Sequence, residues 1–244
     1  SGVFVQNILE IPTCPALDIR NACSGFVFGL ATADQFVKTG MYKNILVIGS
    51  ETQSGAIDMT SRGRDIAVIF GDGAGAAVVT RSNSSSLGIL SSHLHSEGEF
   101  ADELVMIAPN MNKWVTEIVS DNDPNDSSYY PYMNGRLVFK NAVTRFEEVI
   151  NSGLIHNKIS SKDISLLIPH QANLRISQFV QKKFGLRDDQ VYNNIMRYGN
   201  TTAASIPIAL CEAWEEEKIK KGDIIILAAF GAGFSWGSNV IRWG

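Results

Sequence analysis

Leu17-Asp18-Ile19-Arg20-Asn21-Ala22-Cys23-Ser24-Gly25-Phe26 joins an apolar, strand-like segment to a helix through one tight turn, and the turn holds a cysteine. Phe26, Leu30, Ala33, Phe36 and Val37 recur at helical spacing, which predicts a helix to about residue 38, followed by a strand over 44–50. A thiol at a helix N-terminus faces unpaired backbone N–H groups and the positive end of the macrodipole, and both favour thiolate. Ala22, Ser24 and Gly25 are small and leave a substrate room to reach the sulfur. The same plan returns later: a strand over 191–196, a turn holding Asn200, a helix over 203–218 and a strand over 223–230. Cys23 precedes Ile45 by 22 residues, and Asn200 precedes Ile224 by 24. Each stretch leads to a glycine-punctuated apolar run, Phe70-Gly71-Asp72-Gly73-Ala74-Gly75-Ala76-Ala77 and Phe230-Gly231-Ala232-Gly233-Phe234-Ser235-Trp236-Gly237.

Strands alternating with helices predict a layered α/β fold, and the repetition predicts two related halves, residues 1–107 and 108–244, each supplying part of one site. The second half carries more before its strand–turn–helix: an amphipathic helix marked by Phe139, Ala142, Val143, Phe146, Val149 and Ile150, a strand over 164–168, and a helix over 172–184. The first half offers only a helix-like opening, Val3-Phe4-Val5-Gln6-Asn7-Ile8-Leu9, in a chain that does not begin with Met. The expectation is a first half that is incomplete, its N-terminal units belonging to a longer protein.

With 244 residues, 45% of them apolar, the chain has material for a sizeable core. A net charge of −4 gives no footprint for nucleic acid. No apolar run is long enough to span a membrane and no signal peptide is visible. Cys14, Cys23 and Cys211 match no zinc spacing, and free thiols fit a reducing, cytoplasmic compartment. Cys14, before Pro15, and Cys211, on the apolar side of a helix, are expected to be small buried hydrophobes. His93, His95 and His156 are expected to be structural. Asp121-Asn122-Asp123-Pro124-Asn125-Asp126-Ser127-Ser128 is a solvated turn-rich loop and fails as an EF-hand, with Asp126 where glycine is needed and Tyr132 where glutamate is needed.

His170 closes a strand and opens a helix, where α/β sites collect. Cys, His and Asn together are the parts of a covalent acyl-transfer site. The runs Ala22-Cys23-Ser24-Gly25-Phe26, Phe70-Gly71-Asp72-Gly73-Ala74-Gly75, Pro169-His170-Gln171-Ala172-Asn173-Leu174-Arg175-Ile176, Gly199-Asn200-Thr201-Thr202-Ala203-Ala204-Ser205 and Phe230-Gly231-Ala232-Gly233-Phe234-Ser235-Trp236-Gly237, in that order across nearly the whole chain, resemble β-ketoacyl-ACP synthase III.

That resemblance implies a thiolase-like fold and a condensing enzyme that begins fatty-acid synthesis. It implies a cytoplasmic homodimer acting on acyl-CoA and malonyl-ACP, with no metal or organic prosthetic group. Cys23 would be the nucleophile, and His170 and Asn200 the donors to the malonyl thioester. The backbone N–H groups of Cys23 and Ala232 would form the oxyanion hole, Ala232 standing where relatives often carry glycine. Arg62, Gly135, Phe139 and Asn173 match CoA-pocket positions. Arg175 matches the acyl-carrier-protein docking patch, with Lys182, Lys183 and Arg187 nearby.

A thiolase would carry a second cysteine near Gly231-Ala232-Gly233, and none is there. Plant-type polyketide synthases share Cys-His-Asn but not this His-Gln-Ala-Asn with Gly-Asn-Thr-Thr-Ala-Ala-Ser. A papain-like hydrolase orders the same three residue types, with His170 lying 147 residues after Cys23, but its signature around the cysteine is absent. A synthase of a specialised metabolite, and an inactive fragment needing a completing segment, stand as alternatives. The sequence leaves primer length and branching open.

Overall fold

The structure is a computed structural model and describes residues 1–109 and 126–244. In chain order its helices are α1 (Gly2–Ile8), α2 (Gly25–Lys38), α3 (Arg64–Ala67), α4 (Gly135–His156), α5 (Leu174–Phe184), α6 (Ile195–Tyr198) and α7 (Ser205–Glu215). Its strands are β1 (Asn44–Glu51), β2 (Gly73–Thr80), β3 (Gly88–Ser96), β4 (Leu104–Val105), β5 (Tyr132–Met133), β6 (Leu166–Pro169), β7 (Ile224–Gly231) and β8 (Ser235–Arg242).

β7 sets the layering. All its residues are buried, because it lies between two neighbours and under helices on both faces. It runs parallel to β6 and antiparallel to β8, and β8 pairs with β3. Ile224, Ile226, Ala228 and Phe230 join one apolar cluster with Phe146, Val149 and Ile150 of α4 and Ile176 and Val180 of α5. Ile225, Leu227 and Ala229 join the other, with Phe26, Val27 and Leu30 of α2 and Ile206, Ala209 and Leu210 of α7. A strand buried on both faces is continuously apolar, as here. Each large aliphatic side chain so buried contributes about 1.5–3 kcal/mol by leaving water. On their far side α2 and α7 meet a second sheet, β1 paired antiparallel with β2. Two helices are thus held between two sheets, and the N-termini of those two helices carry the Cys23 and Asn200 turns. β3 comes from before residue 107 and pairs with β8 from after it, so the larger sheet draws on both stretches.

The two stretches match in backbone detail. Ala22 (φ 44°) and Thr202 (φ 45°) each open a 3₁₀ turn, Ala22–Ser24 and Thr202–Ala204, that runs directly into α2 or α7. From each positive-φ residue to the first residue of the following strand is 22 positions. The counterpart of Cys23 is therefore Ala203, and Asn200 sits three residues earlier than the sequence comparison placed it.

Several local expectations need correction. Residues 16–20 are exposed and form no ladder. Alternating Leu17 and Ile19 make a strand only where a neighbour offers backbone donors and acceptors, and none does among the described residues. Over 191–196, only Val191 bridges to Leu167, and the chain then coils into α6. Cys14 and Cys211 are exposed, not core; Cys211 lies on the outer side of α7, 3.8 Å from Glu215 Oε1. His93 and His156 meet edge to face at 5.4 Å and His95 stacks on Trp236, as structural residues do. The polar loop at 121–128 falls mostly outside the described residues; Asp126 accepts from Ser128 N at 2.9 Å and caps the turn Ser127–Tyr129. Among the described residues no helix is long and apolar enough to cross a membrane.

Candidate active site

Cys23 is 7% exposed and sits in the 3₁₀ turn, with Ser24 Oγ donating to Asn21 O at 2.9 Å to close it. Behind it stands Gly231, the last residue of β7. A Cβ on Gly231 would come within 2.5 Å of Cys23 Cβ and 3.1 Å of its nitrogen. The end of β7 thus abuts the nucleophile's backbone directly, and only glycine permits it. The next residue, Ala232, is not among those with positive φ, so its backbone accommodates a Cβ. The Cys23 and Ala232 N–H groups both reach the sulfur and favour its ionised form. The two turns carrying them are tied by Ser24 Oγ and Ser235 Oγ at 2.7 Å.

The thiolate expected from the helix terminus does not prevail in the resting site. Burial, followed by the Glu51 charge, pushes the Cys23 thiol up to about 12, outweighing the two N–H groups. The macrodipole effect is at most about 2 kcal/mol, whereas full burial of a charge costs several.

His170 extends β6 by donating its N–H to Ala228 O at 2.8 Å. Its ring is 3% exposed. Burial lowers its pKa to about 3, so the imidazole is neutral. Nδ1 lies 2.6 Å from Ser205 Oγ, while Nε2 is buried with no hydrogen-bond partner among the described residues. Asn200 is locked by backbone: its N–H donates to Ile69 O at 2.8 Å and its carbonyl accepts from Gly71 N at 3.0 Å. Its side-chain Oδ1 accepts from Thr202 N at 2.8 Å, which assigns the oxygen and leaves the amide Nδ2 with no partner among the described residues. Cys23, His170 and Asn200 are brought together by adjacent turns. Gly25 packs against Ala203, Gly231 against Cys23, and the 200–205 segment fixes both donor side chains.

The outlying candidates divide. Arg62 Nε lies 2.5 Å from Asp58 and its guanidinium sits 4.2 Å over the Tyr130 ring. Hydrogen bonds from Thr60, then from Arg62, lower the Asp58 carboxyl to about 2. Asp58, Arg62 and Tyr130 wall a cavity of about 330 Å³ with Ile66, Ile107 and Ser128. Arg64, two residues on, is 77% exposed and lies 3.7 Å from Asp65. Gly135 opens α4 under an Asn134 cap, and Phe139 packs half-buried against the core cluster. Asn173 caps α5, accepting from Arg175 N at 2.9 Å. Arg175 is exposed, whereas Lys183 is paired with Glu147 and Arg187 with Asp189. Sequence reasoning missed the parts played by Ser205 and Gly231. A polar residue at the head of an otherwise apolar helix was the available signal for Ser205.

The protonation states predict a pH dependence of stability. Below its ordinary value of 6.5 the unfolded chain takes up a proton at His170 that the folded protein refuses until about pH 3, so stability falls as pH drops through that window. Above 9.0 the unfolded chain releases the Cys23 proton that the folded protein keeps to about 12, so stability falls again. Each group contributes a slope of up to about 1.4 kcal/mol per pH unit on its flank. Urea midpoints from pH 4 to 10 are expected to show the alkaline slope reduced by one proton in Cys23→Ala and the acid slope reduced by one in His170→Ala.

Residues 17–98 match the family described as 3-oxoacyl-[acyl-carrier-protein (ACP)] synthase III, and residues 154–243 match its C-terminal family. The whole chain is 43% identical to β-ketoacyl-[acyl-carrier-protein] synthase III 1 of Vibrio vulnificus and covers 72% of that protein's length. In structure, 99% of the chain superposes on 71% of 3-oxoacyl-[acyl-carrier-protein] synthase III from Aquifex aeolicus, with a TM-score of 0.88 and 41% identity. The Thermus thermophilus enzyme of the same name gives 0.88 at 36% identity, over all of this chain and 72% of that one.

Proposed function

The chain belongs to the 3-oxoacyl-[acyl-carrier-protein] synthase III family of thiolase-fold condensing acyltransferases, and from that premise we propose that Cys23, His170 and Asn200 carry its two half-reactions. In the first, the Cys23 sulfur attacks the thioester carbonyl of an acyl-CoA primer. The carbonyl oxygen becomes an oxyanion facing the Cys23 and Ala232 N–H groups. Collapse expels the CoA thiolate, which ends with the proton that Cys23 gave up, so the exchange needs no stored base.

In the second, malonyl-ACP places its thioester carbonyl between His170 Nε2–H and Asn200 Nδ2. As carbon dioxide departs, its bonding electrons move toward that oxygen, and two fixed donors stabilise the enolate. The enolate carbon attacks the acyl-Cys23 carbonyl, a carbon–carbon bond forms as the carbon–sulfur bond breaks, and the departing Cys23 thiolate takes up one proton from solvent. The observation that carries this reading is His170 Nε2, a buried donor without a partner among the described residues, together with the unbonded Asn200 Nδ2, beside a cysteine whose own N–H and that of Ala232 converge on the sulfur. A buried donor left unpaired costs about 1–3 kcal/mol, a cost recovered when a developing negative oxygen arrives.

The nucleotide end of CoA is assigned to the cavity at Arg62, with Gly135, Phe139 and Asn173 toward the acyl end. The acyl carrier protein is assigned to the exposed face around Arg175. A cytoplasmic homodimer is the assembly proposed. Intact-mass spectrometry with a panel of short acyl-CoA primers tests the core of the reading. A single acyl adduct is expected, lost entirely in Cys23→Ala, and the best primer names the substrate. A folded protein that takes up no acyl group from any primer would overturn it.

A further inference from the structure

We propose that Ser205 is a positioning residue that makes His170 a hydrogen-bond donor, by donating its hydroxyl to Nδ1 and so holding the imidazole proton on Nε2. This rests on the assignment of His170 to the malonyl carbonyl just given.

Three observations carry it. Ser205 Oγ is 2.6 Å from His170 Nδ1, and Ser205 is 2% exposed, so no water competes for the contact. The same oxygen already accepts the backbone N–H of Gln171 at 3.3 Å. Among the described residues no other acceptor lies within reach of the Ser205 hydroxyl hydrogen. The two tautomers can therefore be counted out. With the proton on Nδ1, the hydroxyl would receive two N–H groups, its own hydrogen would have no acceptor, and the Nε2 lone pair would be buried and unpaired. With the proton on Nε2, the hydroxyl donates to Nδ1, and Nε2–H alone awaits a partner. The second arrangement leaves one buried group unsatisfied instead of two. The one it leaves is a donor aimed where negative charge would develop.

The backbone supports the same conclusion. Ser205 is the first residue of α7, and its position follows from the Thr202–Ala204 turn that also supplies Thr202 N to Asn200 Oδ1. One short segment thus orients both donors by donating to each: the Thr202 N–H to the Asn200 oxygen and the Ser205 hydroxyl to the His170 Nδ1.

The experiment uses ¹⁵N-labelled protein, with two-bond proton–nitrogen correlation of the His170 ring in wild type, Ser205→Ala and Ser205→Thr, beside kinetics of malonyl-ACP decarboxylation. Wild type is expected to show Nε2 protonated and Nδ1 as a hydrogen-bonded acceptor. Ser205→Ala is expected to lose the bonded Nδ1 signature and to fall about 10-fold or more in kcat, with KM within twofold and Cys23 acylation unchanged. Ser205→Thr, which keeps the hydroxyl, is expected to restore both. A wild-type ring protonated on Nδ1 would sink the proposal without any variant. So would a Ser205→Ala protein that keeps the wild-type Nδ1 signal, whatever its rate, since that would mark a packing role. If the ring behaves as expected but wild type does not decarboxylate malonyl-ACP, the tautomer assignment stands and the proposed function fails.

Discussion

Gly231→Ala is expected to lower the rate of Cys23 acylation by 100-fold or more, although it adds a single methyl group with no chemical role. The ideal Cβ falls 2.5 Å from Cys23 Cβ, 3.1 Å from its nitrogen and 3.2 Å from its Cα. Real carbon atoms do not approach so closely, and most of what the methyl meets is backbone, which cannot rotate away. Either β7 or the Cys23 turn must shift. Both are buried, and β7 is held by β6 on one side and β8 on the other, so the turn moves. A displacement near 1 Å parts the Cys23 sulfur from the Ala232 N–H and misaligns the attack, an error of a size that costs about 10²-fold. Overpacking of this kind also costs about 1–3 kcal/mol of stability. Single-turnover acylation monitored by mass, at a temperature where circular dichroism shows the variant folded, separates the two effects. A variant that acylates within threefold of wild type would show that the contact does not place the nucleophile.

The second large effect concerns the donors. His170→Ala and Asn200→Ala are each expected to lower malonyl-ACP decarboxylation by about 10²–10³-fold, the usual loss when one donor to a developing oxyanion is removed. Acylation of Cys23 by the primer is expected to stay within about threefold in both, because its oxyanion faces the Cys23 and Ala232 N–H groups instead. The double variant should lose less than the product of the singles, since the two donors serve one oxygen. Separate assays of the half-reactions read this directly. Equal damage to acylation in either variant would move that residue out of the role assigned to it.

What the sequence revealed follows from how local each feature is. α2, α4 and α7 announced themselves because a 3.6-residue apolar period needs only its own segment. β7 was equally plain, a long apolar run ending in glycine. The supposed strands at 16–20 and 191–196 carried the same alternation, but a strand is completed by a neighbour, and apolar spacing does not report one. Cys23, His170 and Asn200 were visible because each sits at an element boundary within a distinctive run. Ser205 and Gly231 were quoted within those runs and their roles still went unseen. Ser205 acts on a residue 35 positions away and Gly231 on one 208 positions away, and only packing reveals either partnership. The thiol state of Cys23 was misjudged for a related reason: the helix terminus is written in the sequence, but the depth of burial is not.

The matched turns at Ala22 and Thr202 have one more implication. The frame repeats itself closely enough to offer two seats of the same shape, one at Cys23 and one at Ala203, yet sulfur occupies the first and a bare methyl the second. The donors inverted that allotment: Asn200 and Ser205 flank the silent seat, whereas the matching positions beside the reactive one hold Arg20 and Gly25. A scaffold that is nearly symmetric in its backbone is therefore directional in its chemistry. One copy accepts the acyl group, the other activates the carbon that will take it, and the new bond would be made across the seam between them.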